Sequence, residues 1–168
     1  ASHGWHALSM DMIAIEVGVT LEEALAVFAT TRALQDTLFD RIDEAALAEI
    51  DQFTDEDTVR DRLFALLMAR LDALSLYKSA VASLLRGVAC NPSLALARLP
   101  RVMKSMARML DGAGVPPSGP IGVIRTKGLA LIYVTTLRTW IRDDTEDLTP
   151  TMVVLDKGLS RAEMVALQ

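Results

Sequence analysis

The first 40 residues contain the feature that most limits the possible folds, which is a pair of short amphipathic segments separated by one glycine. Ser9 is a favourable N-cap for a helix, and Gly18 can end that helix in the left-handed conformation. Thr20 and Glu23 have the spacing of a capping box, which opens a second helix. Two short helices joined by a tight glycine turn predict a helix-turn-helix unit.

Apolar residues at helical spacing continue along the rest of the chain and predict an all-α protein. Of its residues, 51% are apolar and only 5% are aromatic, and glycine and proline fall mainly between the apolar segments. A long third helix is expected to follow Thr30 and to connect the first unit to a larger body. We therefore predict a helix-turn-helix unit with its connecting helix in residues 1–50, and a helical body in residues 51–168.

Threonine and proline residues mark the expected ends of the helices in the body. Thr54, followed by three acidic residues, is predicted to start the fourth helix. Pro100 is predicted to separate a short helix over residues 92–98 from another over residues 100–111. Thr149 is predicted to cap the last helix.

Charge is distributed unevenly between the two ends of the chain. Residues 1–60 carry 13 acidic and 3 basic side chains, a net charge of −10, whereas residues 61–168 carry 9 acidic and 14 basic side chains, a net charge of +5. Arg101, Lys104 and Arg108 are predicted to share one helical face. That face is either a solvated surface or a contact for anionic head groups, which leaves peripheral membrane contact open.

The order of residues at the N-terminal end resembles the DNA-binding domain of TetR-type regulators. The matching residues are Gly4 and Trp5, Leu8-Ser9, Ile13-Ala14, Gly18-Val19-Thr20, Phe28, and Ala33-Leu34. The resemblance implies an all-α, TetR-like fold with a ligand-binding and dimerisation body. It also implies a further helix before this point, which is truncated in this sequence or lies outside it.

The resemblance implies that the second helix of the unit enters the major groove of DNA. Because Glu22 and Glu23 would repel phosphates, the local charge disfavours DNA binding while the resemblance implies it. The alternative is that the unit serves as structure or as a surface for a protein partner. The candidate DNA contacts are Thr20, Leu21, Glu22, Ala26 and Arg32.

The resemblance also implies a hydrophobic pocket for a small apolar ligand between the helices of the body. Methionine suits flexible apolar ligands, but a methionine stripe is also typical of an ordinary core. The candidate pocket residues are Leu67, Met68, Met103, Met106 and Tyr133.

The last two helices are apolar on more than one side, and the corresponding helices of TetR-like proteins form a four-helix dimer interface. We therefore expect a two-fold homodimer. The candidate interface residues are Leu137, Trp140, Met152, Leu155 and Leu159.

The C-terminal part of the chain resembles the Coq-nine type of lipid-binding protein. The matching residues are Arg125, Leu129-Ala130, Ile132-Tyr133, Thr136, Trp140, Asp143-Asp144-Thr145, Asp147-Leu148, Thr151 and Leu155-Asp156. This second resemblance implies a non-enzymatic accessory protein of ubiquinone biosynthesis that binds an isoprenoid lipid. It is the alternative to a ligand-controlled transcriptional regulator.

The sequence shows no constellation of residues that indicates an enzyme, a cofactor or a metal site. His3 and His6 are the only histidines, and Cys90 is the only cysteine. The pair Asp143-Asp144 is more typical of a turn and helix cap than of acid–base chemistry. Residues 128–134 form the longest apolar run, which is shorter than the roughly 20 residues that a bilayer span needs. A cytoplasmic protein is expected.

Overall fold

The computed structural model describes residues 10–166, and these residues form helices and connecting loops without any strand. Eight α-helices lie in this range: α1 (Met10–Val17), α2 (Leu21–Val27), α3 (Thr31–Leu47), α4 (Val59–Leu74), α5 (Lys78–Cys90), α6 (Pro92–Gly112), α7 (Gly119–Trp140) and α8 (Thr149–Ala166). Short 3-10 turns over Ala48–Gln52 and Ser75–Tyr77 precede the loop before α4 and the start of α5.

The predicted helix-turn-helix is present and consists of α1 and α2, which pack against each other. Gly18 has a φ of +78°, a conformation that glycine adopts without strain, and its N–H donates to the carbonyl of Ala14 at 2.9 Å. Both hydrogen bonds of the capping box between Thr20 and Glu23 are formed. The predicted cap at Ser9 lies outside the described residues.

Helix α3 connects the helix-turn-helix to the body, as its position in the sequence predicted. The hydroxyl of Thr30 accepts a hydrogen bond from the N–H of Ala33 at 3.1 Å and caps the helix. Along its length α3 packs against α4 and α6. A change in either of those helices would therefore act directly on the helix that carries α1 and α2.

The start of α4 differs from the prediction, because Thr58 rather than Thr54 caps it. Thr58 and Asp61 form a capping box, and α4 begins at Val59. Thr54 instead donates to the Asp57 carboxylate through its N–H, at 2.6 Å, and through its hydroxyl. Both threonines have an acid three residues later, so the local sequence permits either cap and the tertiary structure selects the second.

Pro100 does not divide α6, which runs as one helix from residue 92 to residue 112. Proline removes one backbone hydrogen bond and normally bends or ends a helix. Here the segments on both sides of Pro100 are held by neighbours, since α6 packs against α3, α4, α5 and α7. The prediction of two separate helices was therefore wrong, because tertiary contacts outweigh a local break.

The centre of the body is filled by α4 together with parts of α6, α7 and α8. Leu66, Leu67 and Leu71 are completely buried on α4, and Trp140 and Leu155 are buried beside them from α7 and α8. These residues belong to one continuous apolar core.

The last helix begins differently from the prediction, because two aspartates cap it rather than Thr149. Thr149 is the first helical residue, and its N–H donates to the Asp147 carboxylate at 3.2 Å. The Asp143 carboxylate accepts from the N–H of Thr151 at 3.0 Å. An aspartate is a good acceptor at a helix start because its charge suits the helix dipole.

None of the helices between residues 10 and 166 combines the length and the apolar character that crossing a bilayer demands.

Candidate functional site

Helix α2 lies on the outside of the molecule and none of its seven residues is buried. Leu21, Leu25 and Val27 are exposed although they are apolar, and Val27 has 72% of its surface accessible. The helix packs against α1 and begins at a cap, in which the N–H of Glu23 donates to the Thr20 hydroxyl at 3.2 Å. An apolar helix left uncovered in this way is available to a partner molecule.

The cap also fixes the charge of one α2 carboxylate. The backbone N–H of Thr20 donates to Glu23 at 2.8 Å, and its hydroxyl donates to the same oxygen at 2.9 Å. These hydrogen bonds, the backbone one first, lower the pKa of Glu23 below its ordinary value. Glu23 is therefore negatively charged at neutral pH and faces solvent beside Glu22.

The candidate DNA contacts fall into two groups in the structure. Leu21, Glu22 and Ala26 are exposed on α2, and Thr20 is exposed but uses its hydroxyl in the cap. Arg32 belongs to the first turn of α3 and contacts the body instead. Its guanidinium donates to the carbonyl of Ala97 on α6 at 3.5 Å and lies 4.0 Å from the carboxylate of Asp36. The accessible surface of α2 is therefore left acidic and apolar.

Helix α3 is attached to the body by a buried carboxylate, that of Asp43, which was not among the candidate residues predicted from the sequence. Asp43 is completely buried, and its oxygens accept from Arg70 at 2.9 Å, Arg101 at 2.9 Å and the Ser105 hydroxyl at 2.7 Å. Arg70 also donates to the Tyr133 hydroxyl and lies over the Tyr133 ring. This network joins α3, α4, α6 and α7, and each buried charge in it has an opposite charge beside it, as buried ions require.

A second carboxylate, Asp40, lies one turn earlier on α3 and near the surface. It accepts from Arg101 at 2.8 Å, Lys104 at 2.9 Å and Arg108 at 3.4 Å. Burial alone would raise the pKa of Asp40, but the hydrogen bonds from Arg101 and Lys104 and their positive charges outweigh it and lower the pKa. The expected cationic face of α6 therefore pairs with the carboxylates of α3, while the Lys104 side chain stays 57% exposed to solvent.

The candidate pocket residues are mostly part of the filled core. Leu67 and Met106 are fully buried, and Tyr133 is buried with its hydroxyl engaged by Arg70. Met68 and Met103 are partly buried against the same core. The phenol is shielded well enough that burial raises the pKa of Tyr133, with Arg70 opposing the shift only in part.

Two open grooves lie on the described part of the chain. The first has both apolar and acidic residues in its lining, and the second lies at the end of α7. The first is lined by Glu49, Ala65, Met68, Ala69, Asp72, Glu146, Asp147 and Leu148. The second is lined by Arg138, Thr139, Arg142, Asp143, Asp144, Thr145 and Pro150. Met68 is the only candidate pocket residue in these linings.

The candidate dimer residues need a correction, because four of the five lie inside the chain itself. Leu137, Trp140, Leu155 and Leu159 are buried in the core, and only Met152 is exposed. Helix α8 covers this side of α7 so closely that an added Cβ at Gly158 would lie 2.8 Å from the side chain of Ile132. The sequence shows that these faces are apolar but not which of them the chain covers by itself.

Three exposed apolar residues of α7, together with a glycine and a threonine, form a separate stripe on its outer side. They recur at alternating spacings of three and four residues, which is the pattern of a helix that packs against another helix. The stripe consists of Ile121, Ile124, Gly128 and Leu131, followed by Thr135, all of them exposed. Leu131 has 70% of its surface accessible.

The acidic turn between α7 and α8 is structural, as predicted for the pair Asp143-Asp144. Asp143 is buried, and its carboxylate accepts from the N–H and hydroxyl groups of both Thr145 and Thr151. The hydroxyl hydrogen bonds from Thr145 and Thr151 lower the pKa of Asp143 to about 2. Lys78 on α5 donates to the Asp143 carbonyl at 2.5 Å, which ties the turn to the body.

A sequence signal for the buried network did exist in α4. Arg70 follows Leu63, Leu66 and Leu67 on the predicted apolar face, and a charged residue at such a position requires a buried partner. The partner could not be identified from the sequence, because Asp43 belongs to a different helix and is one of several acids in α3. The two histidines are outside the described residues, and no group of metal-binding side chains was found between residues 10 and 166.

Comparison with known proteins gives a result at the level of fold. No protein-family model matches the chain, and no curated protein sequence matches it. Among solved structures, the chain is similar to the TetR transcriptional regulator from Nitrosomonas europaea ATCC 19718, with a TM-score of 0.73 and 23% sequence identity. The superposition covers 95% of this chain and 88% of that one. The chain therefore has the all-α, TetR-like fold that its N-terminal residues predicted.

Proposed function

We propose that this chain is a DNA-binding transcriptional regulator that acts as a two-fold dimer and is controlled by a small ligand. The observation that carries the proposal is α2, a capped helix without a buried residue at the end of the connecting helix α3. A second helix of a helix-turn-helix must be free in this way to enter the major groove. The proposal includes the division into residues 1–50 for the DNA-binding unit and 51–168 for the body, in a cytoplasmic protein.

The acidic surface of α2 makes a specific prediction about DNA binding. Because phosphate repulsion by the acids of α2 weakens non-specific affinity and is least screened at low salt, binding is expected only on a well-matched sequence. Selection from a pool of randomised DNA duplexes with the full-length protein, followed by gel-shift at low and at moderate salt, tests the proposal. No enriched sequence and no retardation would remove DNA binding from the function of this chain.

A charge variant sharpens the same experiment. Glu22→Gln removes one negative charge from the exposed face of α2 and is expected to raise DNA affinity several-fold, with the larger gain at low salt. Glu56→Gln, an exposed acid in the loop before α4, changes the net charge equally and serves as the control. Equal effects of the two variants would show that α2 does not lie at the DNA.

The dimer is proposed to form through the outer stripe of α7. Leu131→Glu places a charge in the middle of this stripe and is expected to convert a dimer to a monomer, because a buried unpaired charge is strongly unfavourable at an interface. Leu76→Glu, at an even more exposed apolar residue between α4 and α5, is the matched control. Sedimentation velocity measures both, and a dimer that survives Leu131→Glu contradicts this interface.

The alternative function is a lipid-binding accessory protein of the Coq-nine type, holding an isoprenoid ligand. The residues Asp143, Thr145 and Thr151 that support this resemblance form the cap of α8, so their arrangement is explained by folding alone. For this reason we rank the alternative below the regulator. Native mass spectrometry of protein isolated from its own cells separates the two. A co-purifying isoprenoid lipid in a protein that selects no DNA would favour the alternative.

A ligand held by the candidate pocket residues would have to enter a body whose core is filled. Met68 and Met103 are the partly exposed candidates, and methionine side chains reorient easily, so we propose that the opening involves them. The same mass spectra report whether a small apolar ligand, an isoprenoid or no ligand is retained. Peripheral membrane contact remains a proposal and is tested by flotation with anionic vesicles.

A further inference from the structure

The surface where α3 faces α6 carries more positive than negative charge. We call it the α3–α6 seam and define it by the charged side chains that meet there. Its acids are Asp36, Asp40 and Asp43, and its bases are Arg32, Arg98, Arg101, Lys104 and Arg108, joined by Arg70 from α4. Six positive charges thus face three negative ones, although the chain as a whole is acidic.

Arg98 is the member of the seam whose charge is least compensated. It is half-buried, and among the described residues it forms no hydrogen bond and no ion pair within 4.0 Å. Its neighbours include another cation, Arg32, and the carboxylate of Asp36. Burial, followed by repulsion from Arg32, lowers the pKa of Arg98, so its environment disfavours the charge it carries.

Arg101 lies three residues further along α6 and also has unused hydrogen-bonding capacity. Its side chain is only 10% exposed, and its two terminal nitrogens donate to Asp40 and Asp43. Its Nε is buried and has no hydrogen-bond partner. Residues three apart on a helix are neighbours on one face, so this free donor lies on the same side of α6 as Arg98.

We propose that the α3–α6 seam binds an anionic group, a carboxylate or a phosphate, between Arg98 and Arg101 with Arg32 at its edge. A planar guanidinium holds either group through two parallel hydrogen bonds, and the excess positive charge would be neutralised on binding. The proposal rests on the function proposed above and gives its ligand a chemical class: the controlling ligand has an acidic group.

The position of this site connects it to the helix-turn-helix. The seam attaches α3 to α6 through Arg101, and an anion beside Arg101 competes with Asp40 for the same guanidinium. Arg32, at the seam edge, follows α2 by only a few residues. Binding therefore changes the attachment of the helix that carries α2, without requiring a cavity in the filled core.

The test measures the midpoint of thermal unfolding of the full chain in the absence of DNA, at constant ionic strength. Inorganic phosphate and octanoate are compared with chloride, and octanol controls for the apolar chain. A ligand that binds only the folded state raises the midpoint with concentration, which gives an apparent affinity. We expect phosphate, octanoate or both to raise it, and octanol not to.

Arg98→Gln is expected to weaken the anion affinity roughly tenfold, the effect of losing one charge-assisted hydrogen bond. Because Arg98 forms no hydrogen bond or ion pair with the residues that the structure describes, this variant should fold, and its midpoint in chloride should not fall. Arg86→Gln, an exposed cation of α5, is the control and should keep the full response.

Each outcome of this experiment decides the proposal. A phosphate-only response identifies a phosphorylated ligand, and an octanoate-only response identifies an acyl carboxylate. No response to either anion, or an equal response in Arg98→Gln and Arg86→Gln, overturns the site. If the chain binds the anion but selects no DNA, the anion site stands and the proposed regulator function is wrong. If it selects DNA but does not respond to either anion, the regulator function stands and the anion site is wrong.

Discussion

Helices α2 and α4 begin with the same local signal but end in opposite surroundings. Each starts at a threonine whose side chain closes a capping box with an acid three residues later, at Thr20 and Glu23 and at Thr58 and Asp61. Both are rich in apolar residues. Yet α2 buries none of its residues, whereas α4 buries six. The comparison shows that a cap decides where a helix begins, while neighbouring helices decide how much it contributes to stability.

The largest expected effect comes from removing the carboxylate that pairs with Arg70, the charged residue that α4 buries. Asp43→Ala leaves the Arg70 guanidinium buried without its carboxylate, and we expect a loss of about 3–5 kcal/mol in the free energy of unfolding. Glu44→Ala, the exposed neighbour on α3, should change stability by less than about 0.5 kcal/mol. Urea unfolding measures both. Similar values for the two variants would mean that the buried network does not hold α3 to the body.

The second effect compares one leucine from each helix. Leu66→Ala empties a fully buried position of α4 and is expected to reduce the free energy of unfolding by about 2–5 kcal/mol. Leu25→Ala on α2 removes an exposed side chain and should stay within about 0.5 kcal/mol of the parent protein. A large loss from Leu25→Ala would indicate that α2 is covered in solution, and this would count against its role as a free recognition helix.

The third effect concerns the two caps. Thr20→Ala and Thr58→Ala each remove the two side-chain hydrogen bonds of one capping threonine, a change that costs about 1 kcal/mol. Because α2 carries no part of the core, the loss of the Thr20 cap should appear as faster amide exchange in residues 21–27 with an unchanged urea midpoint. For α4 the loss should lower the midpoint of the whole chain. An equal fall in the midpoint for both variants would show that α2 unfolds only together with the body.

The last prediction concerns how the effect of the carboxylate that caps α8 depends on pH. The hydrogen bonds from Thr145 and Thr151 lower the pKa of Asp143 to about 2, below its ordinary value of 3.8. The stability from this charge is therefore complete above the ordinary pKa and is lost as the pH falls toward 2. Asp143→Asn should be less stable than the parent by a constant amount near neutrality, and the difference should narrow only below about pH 4. Narrowing near pH 6 would contradict the assignment.

Much of the fold could be predicted because it depends on short-range signals. Gly18, Thr20 and Thr30 set the turn and the helix starts through contacts with residues three or four positions away, and these contacts are present. The start of α4 at Thr58 and the continuity of α6 through Pro100 could not be predicted in this way. In both cases the local sequence allowed two solutions, and packing against other helices chose between them.

The sequence predicted where the candidate DNA contacts lie, but not how the helix-turn-helix is attached to the body. The sequence placed Leu21 and Glu22 on the second helix of a helix-turn-helix, and both are exposed there. It did not predict that Arg32 would contact α6, because that contact spans 65 residues of sequence. Four of the five candidate interface residues lie in the core for a related reason: periodicity identifies an apolar face but does not say whether the same chain or a second copy covers it.

By itself the sequence determined that this chain is helical, where its first helices begin, and that they form a helix-turn-helix. These properties follow from backbone capping and from the helical period, which act within one or two turns. Only the tertiary structure decided that Asp43 would pair with Arg70 and Arg101, and that the charged face of α6 would attach the connecting helix. The pairing of buried charges depends on which helices meet, and that is a property of the whole chain.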